Sequence, residues 1–308
     1  MAEPYLISAV IYGSLFALMA VGLTLTYLTT KVPNFAYGSF VTIGIYVAFT
    51  MSRLQGVDPY LSTPLSFVLG GIASLLMYGL VLRPLSKRGS SLVSMMIATF
   101  AVDVAFVGIF GIYSDYLTSR FGIPDTKQFY QLPGDFSLGG LPGLFFSAPL
   151  LLAAVSLGLF VLLTRSNFGV AMRASVENAS LAKILGINVE KVYVASWFLA
   201  GAFAASAGSF YVLWLPSGVD TGSSIIVEIF AASILGGLTS IYGAVLGGLI
   251  IGGSEIIITS IGAQVLGSWV AIYQKAIPLV LMVITLLVLP RGIVSINFRR
   301  LLRLRRRP

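Results

Sequence analysis

Three carboxylates interrupt long apolar runs of this chain: Asp103 in the middle of ATFAVDVAFVG, Glu228 in IIVEIFAAS and Glu255 in GGSEIIITS. Lys275 stands near the start of the last apolar run. An ionisable group in such surroundings is costly, so each is a functional candidate by default. The chemistry open to them is narrow. The chain has no histidine and no cysteine, and the acids do not form a regularly spaced series, which argues against a proton relay. Disulfides, thiolate metal sites, Cys/His nucleophile pairs and imidazole acid-base catalysis are excluded with them. Two readings remain: Asp103 and Glu228 as carriers of ions, or as polar glue facing the inside of a bundle. Glu255 and Lys275 fall at the same level and are expected to pair.

The elements that must position these groups are membrane helices. Hydrophobic residues make up 57% of the 308 and charged residues only 10%. That balance belongs to a polytopic membrane protein. A spanning helix needs roughly 20 apolar residues, and nine segments qualify: 6–28, 35–51, 65–82, 92–113, 144–163, 192–213, 223–236, 241–259 and 270–289. The second and seventh are short, and either could be a broken helix. The fold class is therefore all-α, a single transmembrane bundle over 1–308 with eight or nine segments. The N-terminal run, preceded by Glu3 and no basic stretch, reads as retained and not as a cleaved signal. If the segments alternate, fifteen of the 19 Lys and Arg fall on one side, which is then cytoplasmic. This puts the N-terminus outside, 114–142 in an external loop, 165–191 in a cytoplasmic segment and the C-terminus inside with a basic tail, 291–308. The formal charge of +8 thus reads as topology and contact with anionic lipid, not nucleic acid.

The segment 165–191 is a polar island between apolar runs. Within it SVENASLAKIL predicts a short helix capped by Ser175 or Asn178, with Glu177 in the first turn, Leu181, Ile184 and Leu185 on one apolar face, and Gly186 at the left-handed C-terminal position. Such a helix, tied between two spanning helices, is a lever for something docking from the cytoplasm, although an ordinary solvated connector fits the same pattern. Two further features break the apolar runs. In KVPNFAYGSF, Pro33 disfavours helix before it and Asn34 can cap the next helix, which puts a helix N-terminus near Tyr37, Gly38 and Ser39 where a polar group could be met. In SILGGLTSIYGAVLGGLIIGG, the pairs Gly243/Gly247 and Gly248/Gly252 have the spacing of close helix contacts, and GGLTS interrupts the helix. No phosphate-binding loop, potassium-filter string or arginine-rich sensor repeat is present, so any ATP that drives this chain is hydrolysed by another subunit.

Three stretches together resemble the permease subunit of branched-chain amino acid ABC importers over nearly the full length: GLTLTYLTTKVPNFAYGSFVTIGIYVA, RASVENASLAKILGINVEKVYVASWFLAGAFAASAG and ILGGLTSIYGAVLGGLIIG. The chain departs from the family pattern at Tyr37, where histidine is usual, at Ser39, where an acid is common, and at Glu228, where lysine is frequent. Relatives carry urea and short amides; more distant ones carry sugars or nucleosides. The resemblance implies no enzyme activity and no cofactor of the chain's own, ATP being bound by partner subunits. It implies a second, similar permease, two cytoplasmic ATPases and an external solute-binding protein as partners. It also implies that Leu181, Ala182, Leu185, Gly186, Ile187 and Asn188 make the coupling contact with the ATPase. Asn34, Tyr37, Gly38 and Ser39, at the helix start, and the carboxylates Asp103 and Glu228 are the residues expected to border the path. The rival reading is a secondary transporter or channel; a membrane enzyme would have only the few carboxylates to work with.

Overall fold

A computed structural model describes residues 4–289 and 292–295; most of the expected basic tail lies outside them. Helices α1 (Pro4–Thr30) and α2 (Tyr37–Gln55) open the chain. A 3-10 turn (Pro59–Ser62), α3 (Thr63–Met77), a π-helical turn (Tyr78–Leu82) and α4 (Arg83–Lys87) form one continuous 29-residue rod. Next come α5 (Leu92–Phe121) and α6 (Leu144–Arg165), then two short helices, α7 (Asn167–Glu177) and α8 (Ala179–Ile184). The chain continues through α9 (Val189–Tyr211), α10 (Thr221–Gly236), α11 (Ile241–Leu266), a 3-10 helix (Ser268–Tyr273) and α12 (Ala276–Val288). Among the described residues, six of these helical rods are long and apolar enough to cross a membrane, and α10 and α12 are shorter apolar helices.

The core lies where α1, α2, α9, α10 and α11 pack together. The glycine spacing of α11 explains the closeness of this packing, because its two pairs face two different neighbours. Gly243 and Gly247 press on Gly236 and Ala232 of α10, while Gly248 and Gly252 press on Ala17 and Gly13 of α1. A Cβ at Gly248 would run into the backbone of Ala17. Lipid supplies no hydrophobic drive between helices, so backbone approach of this kind is what holds them. Trp197 of α9 is fully buried and stacks on Tyr78, with ring centroids 5.4 Å apart, at the π-turn.

Several boundaries differ from the sequence expectation. Helix α5 runs eight residues past Tyr113, into the stretch expected as external loop. What remains of that loop is folded by two tiny antiparallel ladders: Gln128–Phe129 against Ser217–Gly218, and Ser137–Leu138 against Leu141–Pro142. Gly139 and Gly140 turn the second ladder, both with positive φ, which glycine adopts without strain. The run 270–289 is not one helix. Its first part is the 3-10 helix, because Gly267, at φ 106°, ends α11 and restarts the chain in a new direction. The island holds two helices instead of one: Ser166 caps α7 and Asn178 caps α8, its side chain accepting from the Leu181 amide at 3.0 Å. Ser175 caps nothing and donates back to the Ala171 carbonyl, and Glu177 ends α7 instead of starting a helix.

Candidate functional site

Two helix N-termini meet inside the bundle. The segment Lys31–Ala36 folds back after α1, so α2 starts at Tyr37, whose hydroxyl reaches the Ala200 carbonyl midway along α9, 3.4 Å away. The first turn of α10 lies against it. Gly38 and Gly222 touch so closely that a Cβ on either would strike the other's carbonyl, and the Gly222 amide donates to Thr42 Oγ1 at 3.0 Å. Both positions require glycine for this reason alone.

Asp103 of α5 completes the junction. Its Oδ1 accepts from Ser39 Oγ at 2.6 Å and its Oδ2 from Ser223 Oγ at 2.8 Å, so each oxygen is held by the third residue of a different helix. Two N-terminal partial positive charges and two hydroxyls explain how a carboxylate sits there buried. With both oxygens engaged, Asp103 has the geometry of a tie and not of a free ion carrier. It fastens α5, whose only other buried positions are Thr99, Phe110, Ser114 and Leu117 on the same stripe. Thr99 Oγ1 adds a second tie by accepting the Phe35 amide at 3.1 Å.

Asn34 does not cap α2. Ala36 holds the cap position without a side-chain bond, and Asn34 is fully buried with neither side-chain polar atom partnered among the described residues. Glu228 is not part of the junction. It lies further along α10, 2% exposed with both oxygens unpartnered among the described residues. Glu255 Oε1 accepts from Gln274 Nε2 at 2.9 Å and from the Tyr12 hydroxyl at 3.5 Å. The expected pair with Lys275 is not formed: the lysine is exposed and donates to the Ser224 carbonyl at 3.3 Å, while its neighbour Gln274 takes the glutamate.

At the other end of the molecule the island presents an apolar face. Leu181, Ile184 and Leu185 are 53%, 81% and 71% exposed, whereas Ala182 is only 2% exposed and faces the bundle. The face is held rigidly. Gly186 has φ 82°, its amide donates to the Lys183 carbonyl, and the Ile187 amide donates to that of Ala182, which is the paired closure of a helix end that needs a left-handed residue. Asn188 then caps α9 by accepting the Lys191 amide at 3.1 Å. Asn188 is exposed and Ile187 half-buried.

The sequence profile of the family described as branched-chain amino acid transport system / permease component matches residues 5–286. The chain belongs to that family. It is a multi-pass integral membrane protein. It is 46% identical, over 96% of its length and 93% of the relative's, to a probable branched-chain amino acid transport permease protein LivH of Methanocaldococcus jannaschii. It is 30% identical to the high-affinity branched-chain amino acid permease BraD of Pseudomonas aeruginosa, over 80% of this chain and 83% of that one. The ribose import permease RbsC of Escherichia coli is 26% identical over 78% of this chain and 73% of its own. No solved structure matches. In this permease the sequence had singled out Ser39 and Asp103 separately, and the fold joins them. Ser223, Thr99 and Gln274 gave no signal beforehand, being ordinary polar residues whose partners lie 120, 64 and 19 positions away.

Proposed function

We propose that this permease is the membrane-spanning subunit of an ATP-driven importer that carries branched-chain amino acids or related small polar solutes into the cell. It works as one bundle with a second, similar permease, two ATPases on the cytoplasmic side and a solute-binding protein outside. Two relatives, 46% and 30% identical, are named for branched-chain amino acids, which favours that solute class. The N-terminus then faces outward, α7 and α8 face the cytoplasm, and eight or nine segments cross. Closure of the ATPase pair pushes on α8, and the capped joints at Asn178, Gly186 and Asn188 pass the push to α9 without bending. The junction of α2, α5 and α10 at Asp103 borders the path.

The observation that carries this reading is the exposed face of Leu181, Ile184 and Leu185 on a short helix closed at both ends. Water does not reward such a face, whereas a docking partner does. The test is assembly. With the ATPase subunits co-expressed, a Leu181→Asp/Leu185→Asp double variant is expected to insert normally but lose ATPase co-purification and uptake together. Retention of both would overturn the reading.

A further inference from the structure

A cavity of about 630 Å³ opens on the flank of the molecule between α3, α6, α7 and α9, lined by Leu75, Leu162, Phe168, Val194, Phe198 and Leu199. That volume is within the usual range of ligand sites, roughly 300–1,000 Å³. Its lining is apolar except at one end, where Glu190 and Lys191 stand. From Lys191 to Leu199 the groove runs along eight residues of α9, about 12 Å at 1.5 Å per residue. It therefore starts at the polar end of the helix and descends into the apolar zone. The floor is built for it: Phe198 lies over Gly71, where any side chain would strike the ring.

The charges at the mouth do not cancel. Glu190 is taken by Arg83, whose Nε lies 2.7 Å from its Oε1. Lys191 is exposed and makes no side-chain bond among the described residues. Arg165, also exposed, is three residues beyond Leu162 and so lies on the same face of α6 as that lining residue. An apolar trench with an unpaired lysine at its mouth, and an arginine one turn beyond its lining on α6, matches a molecule with a hydrocarbon tail and an anionic head.

We propose that this groove binds an anionic phospholipid, one acyl chain lying along α9 and the phosphate held by Lys191 and Arg165. The lipid would fill the flank between α3 and α6 and brace the base of α9 next to the island, independently of which solute is carried.

The test uses the full-length chain, reconstituted in equal phosphatidylglycerol and phosphatidylcholine and then extracted with its retained lipid, which is quantified by mass spectrometry. Wild type is expected to retain phosphatidylglycerol several-fold over its bulk share. Lys191→Glu/Arg165→Glu should return the ratio to that of the bulk. An acid in the first turn of α9 suits the helix, so that variant is expected to fold. Ala195→Trp, which fills the groove, should lose both lipids. Bulk proportions on wild type, or enrichment that survives the charge reversal, would sink the proposal. So would a disulfide between two copies through Val194→Cys, since a second chain would then occupy the flank. Loss of lipid selectivity with ATPase assembly intact separates this site from the docking function of α8.

Discussion

Removing the Asp103 carboxylate should loosen α5 from the bundle. Its oxygens accept two hydroxyls at 2.6 and 2.8 Å. Hydrogen bonds to a charged group contribute about 1.5–3 kcal/mol each, so the gross loss in Asp103→Ala is about 3–6 kcal/mol. Two effects oppose it. The carboxylate no longer has to be desolvated, which returns part of that sum. The freed hydroxyls can also rotate to other acceptors. A net cost of about 2 kcal/mol remains, or roughly 30-fold in the equilibrium for opening. The chain has no cysteine of its own, so Phe110→Cys, on the buried stripe of α5, reports opening by its rate of labelling with a membrane-permeant thiol reagent. Labelling should quicken about 30-fold on adding Asp103→Ala and less on adding Asp103→Asn, which keeps an acceptor. Unchanged labelling in the alanine variant would refute the idea that this carboxylate ties the helix down.

Other residues give further outcomes. Gly186→Pro forces φ near −65° where the chain has 82° and removes the amide that closes α8, so ATP turnover should continue without uptake in protein that still inserts. Glu228→Gln keeps the volume and removes an ionisable group with no partner among the described residues, so the thermal midpoint should hold or rise; a clear fall would show that the carboxyl makes a contact the bundle needs. Gly248→Ala should cost about 1–3 kcal/mol by overpacking against Ala17, whereas Gly253→Ala, whose Cβ would meet nothing nearer than 3.9 Å, should be close to silent; equal effects in unfolding titrations would discredit the packing argument.

Much of this architecture could be read from local pattern. The apolar runs marked the helices, the spacing of Gly243, Gly247, Gly248 and Gly252 foretold close approach, and Gly186 announced its own left-handed turn, because each depends on residues a few positions apart. Legibility ended where distant partners decide. Asn34 has a capping residue's chemistry, yet the chain folds back so tightly that Ala36 takes that place. By charge, Lys275 is the natural partner of Glu255, but Gln274 points inward and the lysine outward, a choice set by the 3-10 turn before them. Nothing near Ser223 hinted at Asp103, 120 residues earlier. The extra turns of α5 were hidden because its last residues are polar enough to pass for loop.

Along both sides of α11 the main chain rests directly on its neighbours, with no side-chain cushion to absorb a shift. With close backbone packing on both faces of α11, α1, α10 and α11 are expected to move together. Relative motion within such a bundle is then left to the periphery, to slender elements with few attachments. In this molecule α5, held chiefly through Thr99 and Asp103, is such an element.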